Sequence, residues 1–144
     1  MKENIYFINN DITFTLRNKK KLREWIDSAV HEENKYPGTL TYIFCNDDYL
    51  LSINEKYLKS SYLTDIITFD YTEDKIISGD MLISITRVKE NAKIFKTTFQ
   101  KELMRVMIHG ILHLCGFNDK TAKEKESMKA KEDYHLNKYF KSLS

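Results

Sequence analysis

Apolar positions recur along this chain with two different periods, and the changes of period mark out its elements. Asn4 to Phe7 and Ile12 to Leu16 are rich in β-branched and aromatic residues, and Ile12, Phe14 and Leu16 alternate with polar neighbours as a half-buried strand should. Between them lies the turn-forming Asn9-Asn10-Asp11. From Asn18, a residue type that caps helices, the period lengthens: Leu22, Trp25, Ile26, Ala29 and Val30 make the i, i+3, i+4, i+7, i+8 stripe of an amphipathic helix. Tyr36-Pro37-Gly38 breaks the pattern, and Thr39 to Cys45 reads as a well-buried strand. Asn46-Asp47-Asp48 resembles a helix start with acid in its first turn, leading through Leu50, Ile53 and Asn54 to Tyr57, and Lys59 to Leu63 is expected to be a loop. Ile66, Ile67 and Phe69 form a strand, as does Gly79 to Ser84; the short polar turn at Thr72 to Lys75 predicts that these two pair antiparallel.

Three further helices follow. Val88 to Phe95 reads as a short one, and Thr97-Thr98-Phe99-Gln100 offers a capping-box start for the next. There Phe99, Leu103, Val106, Met107, Gly110, Ile111 and Leu114 are apolar over a broad arc, which predicts a central, buried helix. Glu102, Arg105, His109 and His113 intrude along one stripe of it, and such a stripe needs a solvated cleft or a metal to satisfy it. Thr121 with Glu124 makes a second capping box, and the last helix runs to about Tyr139 with Met128 and Tyr134 among its contacts. His135 on it reads as a surface residue, with a fourth ligand as the alternative; His31 suits the negative end of its helix and has no functional role.

Composition narrows the class without naming a function. A chain of 144 residues forms one domain, residues 1–144, large enough to bury a core without disulfides. Its 31% charged and 42% hydrophobic residues are those of an ordinary globular protein. No apolar run approaches the roughly 20 residues of a membrane span, and Met1-Lys2-Glu3-Asn4 lacks the apolar core of a signal peptide, so a cytoplasmic location without membrane partners is expected. Cys45 and Cys115 read as reduced thiols. The net charge of +2 implies no strong nonspecific pull on nucleic acid, and the lysines from Lys120 to Lys131, interleaved with Glu124, Glu126 and Glu132, have the pattern of a solvated helix face.

The chemistry concentrates in His109-Gly110-Ile111-Leu112-His113-Leu114-Cys115-Gly116-Phe117-Asn118-Asp119. Two histidines four apart project side by side from one helix face, Gly116 falls where the helix should stop, and Asp119 arrives on the returning chain. Two nitrogens and one oxygen suit one borderline metal such as Zn2+ and leave a coordination position open, the arrangement of catalytic and not structural sites. Such a metal lowers the pKa of bound water, so hydrolysis is its natural use. The protease form of the motif, H-E-x-x-H, has its general-base glutamate where this chain has Gly110, which counts against peptide hydrolysis by the usual route.

The same eleven residues resemble the H-G-x-L-H-L-x-G-Y-D-H signature of the YbeY family of metal-dependent endoribonucleases. Upstream, Asn54 to Tyr57 resembles that family's L-N-x-x-[YFW] segment, Thr64-Asp65-Ile66-Ile67-Thr68-Phe69 its T-D-V-L-S-F, and Gly79-Asp80 its G-D before a strand. The resemblance implies an α/β (α+β) fold, a small mixed four-stranded sheet with about five helices packed around it. It also implies a single-strand-specific endoribonuclease acting in 16S rRNA 3′-end maturation, rRNA processing and ribosome quality control, with ribosomal RNA and the small ribosomal subunit as partners, alongside assembly factors. His109, His113 and Asp119 would hold the metal; Asn54, Lys59 and Asp65 are candidate supporting residues, and RNA would enter beside Thr64 to Phe69 and the Lys59 loop.

Two departures from the family pattern bear on this expectation. Asp119 stands at the third histidine, which retains a ligand but adds negative charge and broadens the expected preference from zinc toward other, harder divalent ions. Leu58 stands at an arginine, so a cation expected beside an RNA phosphate is missing, with Lys59 as the neighbour that would replace it. The rival readings are a metalloprotease-like hydrolase of another substrate and a non-catalytic, metal-stabilised ribosome assembly factor.

Overall fold

A computed structural model of the chain describes residues 4–58 and 64–143. The strands are β1 (Ile5–Asn9), β2 (Tyr36–Cys45), β3 (Ile66–Asp70) and β4 (Ile76–Ser84); the helices are α1 (Lys19–Glu32), α2 (Asp47–Tyr57), α3 (Ile85–Ile94), α4 (Phe99–Leu114) and α5 (Ala122–Lys141). The sheet order is β1-β2-β4-β3, with β1, β2 and β4 parallel and β3 antiparallel to β4. The mixed four-stranded sheet and five helices expected from the sequence are therefore present, and β3 and β4 pair as their short connection predicts.

The two-residue side-chain period of a strand sorts the core into two layers. Leu40, Tyr42 and Phe44 of β2, with Ile77, Met81 and Ile83 of β4, share one cluster with α1, α3, α4 and α5. Cys45, Ile67 and Leu82 face the other way and meet Leu50 of α2. Helix α4 is the centre of the larger layer: Leu103, Met104, Met107, Ile108, Ile111 and Leu112 on it are fully buried. Gly79 lets it lie close to the sheet, since a Cβ there would stand 2.5 Å from the Phe69 carbonyl oxygen and 3.1 Å from Leu114. Cys45 and Cys115 are both free thiols, as expected.

Four local expectations need correction. Ile12 to Leu16 is not a strand, although Leu16 is buried and Ile12 and Phe14 pack on the core. Parallel pairing of β1 with β2 requires the chain to cross from the end of β1 to α1, and this segment makes the crossing. Tyr36, Pro37 and Gly38 do not form a break ahead of β2 but belong to it, with an irregularity in its pairing with β4 between Pro37 and Leu40. Asn18 precedes α1 in the left-handed conformation and makes no side-chain cap. Finally, Thr98 alone caps α4, accepting from the Lys101 amide at 3.1 Å, so the capping box expected from Thr97 and Gln100 is absent. The box at Thr121 and Glu124 is formed as expected.

Candidate active site

The end of α4 builds the site. Gly116 has φ +106°, a conformation open to glycine; its amide donates to the His113 carbonyl at 3.0 Å, and the Phe117 amide donates to that of Leu112 at 3.1 Å. This paired closure turns the chain back along the helix. It also brings the Phe117 carbonyl oxygen within 3.1 Å of His113 Nδ1. With Nδ1–H donating there, Nε2 is the nitrogen of His113 left for a ligand.

His109 is held in the same sense from a different element. Its Nδ1 donates to Glu132 of α5 at 2.7 Å, and its Nε2 stands 3.3 Å from an Asp119 carboxylate oxygen. The two imidazoles are nearly parallel, 8° apart, with ring centres separated by 6.4 Å. Glu132 also accepts from Arg105 at 3.0 Å, and Arg105 reaches Asp133 at 2.6 Å. Burial works to lower the His109 pKa, but the bond to Glu132 and the charges of Glu132, Asp119 and Asp65 outweigh it and hold it above the usual histidine value.

His109, His113 and Asp119 share a cleft of about 330 Å³ with Asn54, Leu58 and Asp65, so sequence-distant candidates are brought together. Asn54 is buried within it. Burial pushes the Asp65 carboxyl above the usual carboxylate range, against the pull of His109. The described lining residues include no arginine or lysine. Lys59, the candidate replacement for the cation missing at Leu58, lies outside the described residues.

The donor set fits a metal, with one qualification of geometry. Among the described residues no three histidine, cysteine, aspartate or glutamate side chains are gathered tightly enough to grip an ion as they stand. The 3.3 Å from His109 Nε2 to Asp119 nevertheless exceeds the about 2.7–2.9 Å of a charge-assisted hydrogen bond. It matches the separation of roughly 3.3 Å between neighbouring donors around a tetrahedral ion with bonds of about 2.0–2.1 Å. Each imidazole has its other nitrogen committed to an oxygen, the outer support that metal-binding histidines need.

Two expectations about this region change. Glu132 does not belong to a solvated helix face: it is 7% exposed and braces His109. The signal was its place on the buried stripe Met128, Glu132, His135, Leu136, Tyr139 of α5, which shares the helical period. His135 is neither a surface residue nor a neighbour of the cleft, but is 1% exposed and bonded through Nε2 to Glu33 at 3.0 Å. Gly110, at the position a protease gives its general base, is pressed onto the sheet, where even a Cβ would lie 2.9 Å from Met81 Sδ. Glu102, the other carboxylate on the α4 stripe, is buried and is not among the residues lining the histidine cleft. Burial, with the charge of Asp65, pushes its pKa up to about 7 against the pull of Arg105.

Comparison with known proteins agrees with this architecture. The family described as Endoribonuclease YbeY matches residues 4–140. A protein named Endoribonuclease YbeY from Christiangramia forsetii is 50% identical over 128 residues, 89% of this chain and 88% of that one. One of the same name from Cytophaga hutchinsonii is 48% identical over 136 residues, 94% of this chain and 95% of that one. A solution structure of a Thermotoga maritima protein superposes with a TM-score of 0.68 at 26% identity, covering 96% of this chain and 91% of the other. With a family match over residues 4–140 and relatives 48–50% identical along most of their length, the chain belongs to the YbeY endoribonuclease family.

Proposed function

We propose that this protein is a metal-dependent endoribonuclease of single-stranded RNA, acting in the cytoplasm on ribosomal RNA of the small subunit, including 16S 3′-end maturation and ribosome quality control. The observation that carries the reading is the pairing of His109 Nε2 with Asp119 at 3.3 Å while Nδ1 of each imidazole is bound to an oxygen. His109, His113 and Asp119 would hold the metal, zinc or a harder divalent ion. When bound there, it supplies Lewis-acid activation of water and neutralisation of phosphate charge.

The chain's own residues have separate tasks. Glu132 fixes the His109 ring by accepting its Nδ1 proton, and Arg105 holds Glu132 in place from the same helix as the histidine. The Phe117 carbonyl does for His113 what Glu132 does for His109. Asp65 lines the histidine cleft and would be the group that exchanges a proton with the departing ribose oxygen. Asn54 lines the same cleft and can orient a phosphate or ribose through its amide.

The test is cleavage of end-labelled single-stranded RNA by protein stripped with a chelator and then reloaded with Zn2+ or Mn2+. Cutting restored by metal in the wild type and absent in His113→Ala supports the proposal. Equal cutting by both proteins, or none by the reloaded wild type, overturns it. No cutting together with co-sedimentation with small subunits would mark an assembly factor instead.

A further inference from the structure

A second and larger cleft, about 860 Å³, runs between α4 and α5 and shares Asp119 with the histidine cleft. Its rim carries Lys101 from α4 and Lys125 and Lys129 from α5, the last two spaced i, i+4 and so on one helix face. All three are exposed, and none makes an ion pair with a carboxylate among the described residues. Three of the four acids lining the cleft are already engaged, Glu132 and Asp133 with Arg105 and Asp119 facing His109, and the fourth, Glu102, is buried. Two aromatic rings complete the wall. Phe95 is 63% exposed, and Phe140 lies 5.4 Å beneath the Lys101 ammonium.

We propose that this α4–α5 cleft is the track for single-stranded RNA on its way to the histidine site, with Lys101, Lys125 and Lys129 contacting phosphates and Phe95 and Phe140 stacking on bases. Cations at the rim and rings in the wall are the two parts a single strand needs, and the histidine cleft has neither a lysine nor an arginine among its described lining residues. The track thus supplies the backbone contacts that the leucine at position 58 does not. It arrives at the metal-ligand candidates from the α5 side, past Asp119, and not only past Thr64 to Phe69. This rests on the endoribonuclease reading above.

The experiment measures binding by fluorescence anisotropy of a labelled RNA of about ten nucleotides. It is run across a salt series with chelator-stripped protein, so cleavage does not enter. Lys101→Gln/Lys125→Gln/Lys129→Gln should make the slope of log affinity against log salt shallower by about 2, three phosphates at about 0.7 each. Lys19→Gln/Lys20→Gln/Lys89→Gln, which removes the same charge elsewhere, should leave it unchanged. Phe95→Ala should weaken binding by about fivefold or more with no change of slope, because stacking releases no counterions.

The proposal is overturned if the two triple variants behave alike, or if the rim variant keeps the wild-type slope. It is also overturned if an acidic peptide competes for the cleft while RNA binding survives the rim substitutions, since the occupant would then be a protein. Wild type that cuts RNA with metal but shows these results loses only the track. Wild type that neither binds nor cuts RNA loses the endoribonuclease reading as well.

Discussion

Glu132 is the residue whose removal tests most of the site at once. It is 7% exposed, accepts from His109 at 2.7 Å and from Arg105 at 3.0 Å, and so holds two partners on α4 from α5. Glu132→Ala deletes both bonds, but Arg105 keeps Asp133 at 2.6 Å, so the loss falls mainly on His109. Hydrogen bonds to charged groups contribute about 1.5–3 kcal/mol each, and with one partner partly compensated a destabilisation of roughly 2–4 kcal/mol is expected. Glu132→Gln keeps an oxygen for the imidazole and should cost about 1 kcal/mol. Urea unfolding of metal-free protein measures both.

The pH dependence of this effect has a defined sign. The His109 pKa is raised in the folded state, so its contribution is full below the unfolded value of 6.5 and is lost as pH rises through the folded value. The stability gap between wild type and Glu132→Gln should therefore be wider at pH 6 than at pH 9, and a fall in the His109 pKa should be visible by NMR titration. Zn2+ affinity, read by competition with a chromophoric chelator, should drop about 10–100-fold in either variant. Equal costs for Ala and Gln, or unchanged zinc affinity in a folded Glu132→Gln protein, would refute the bracing role.

Glu102→Gln should stabilise the protein at pH 8 and change little at pH 4. The folded pKa is raised from 4.5 to about 7, so the unfolded chain ionises first and the acid's stabilising effect disappears as pH climbs between those values; at about 1.4 kcal/mol per pH unit the gain approaches roughly 3 kcal/mol, measurable by urea unfolding at the two pH values. Gly79→Ala should lower stability by about 2 kcal/mol or more, because its Cβ would sit 2.5 Å from a backbone oxygen of β3 that cannot swing away; thermal melting decides this. Thr121→Ala should cost about 1 kcal/mol through loss of the α5 capping box, without altering zinc affinity.

How far the sequence carried can be judged from single residues. The α1 stripe of Leu22, Trp25, Ile26, Ala29 and Val30 is the set the structure buries in that helix, because amphipathic period alone decides which face of a helix turns inward. The His109, His113, Gly116, Asp119 spacing was equally legible: helix geometry and a glycine stop are local, and they bring the ligand candidates to one cleft. Ile12 to Leu16 was misread because alternation reports burial and cannot tell a paired strand from a crossing segment whose side chains reach the same core.

Local pattern thus determined this protein's helices, most of its strands and the motif of its candidate metal centre, since each depends on residues within a turn or two of one another. Tertiary structure alone decided that Glu132 braces His109 across 23 positions, that Gly110 is pressed against Met81, and that the lysines of α4 and α5 border one cleft. Those facts depend on how α5 and the sheet pack against α4. Helical period can tell that Glu132 turns inward, but not which side chain of another element it meets there.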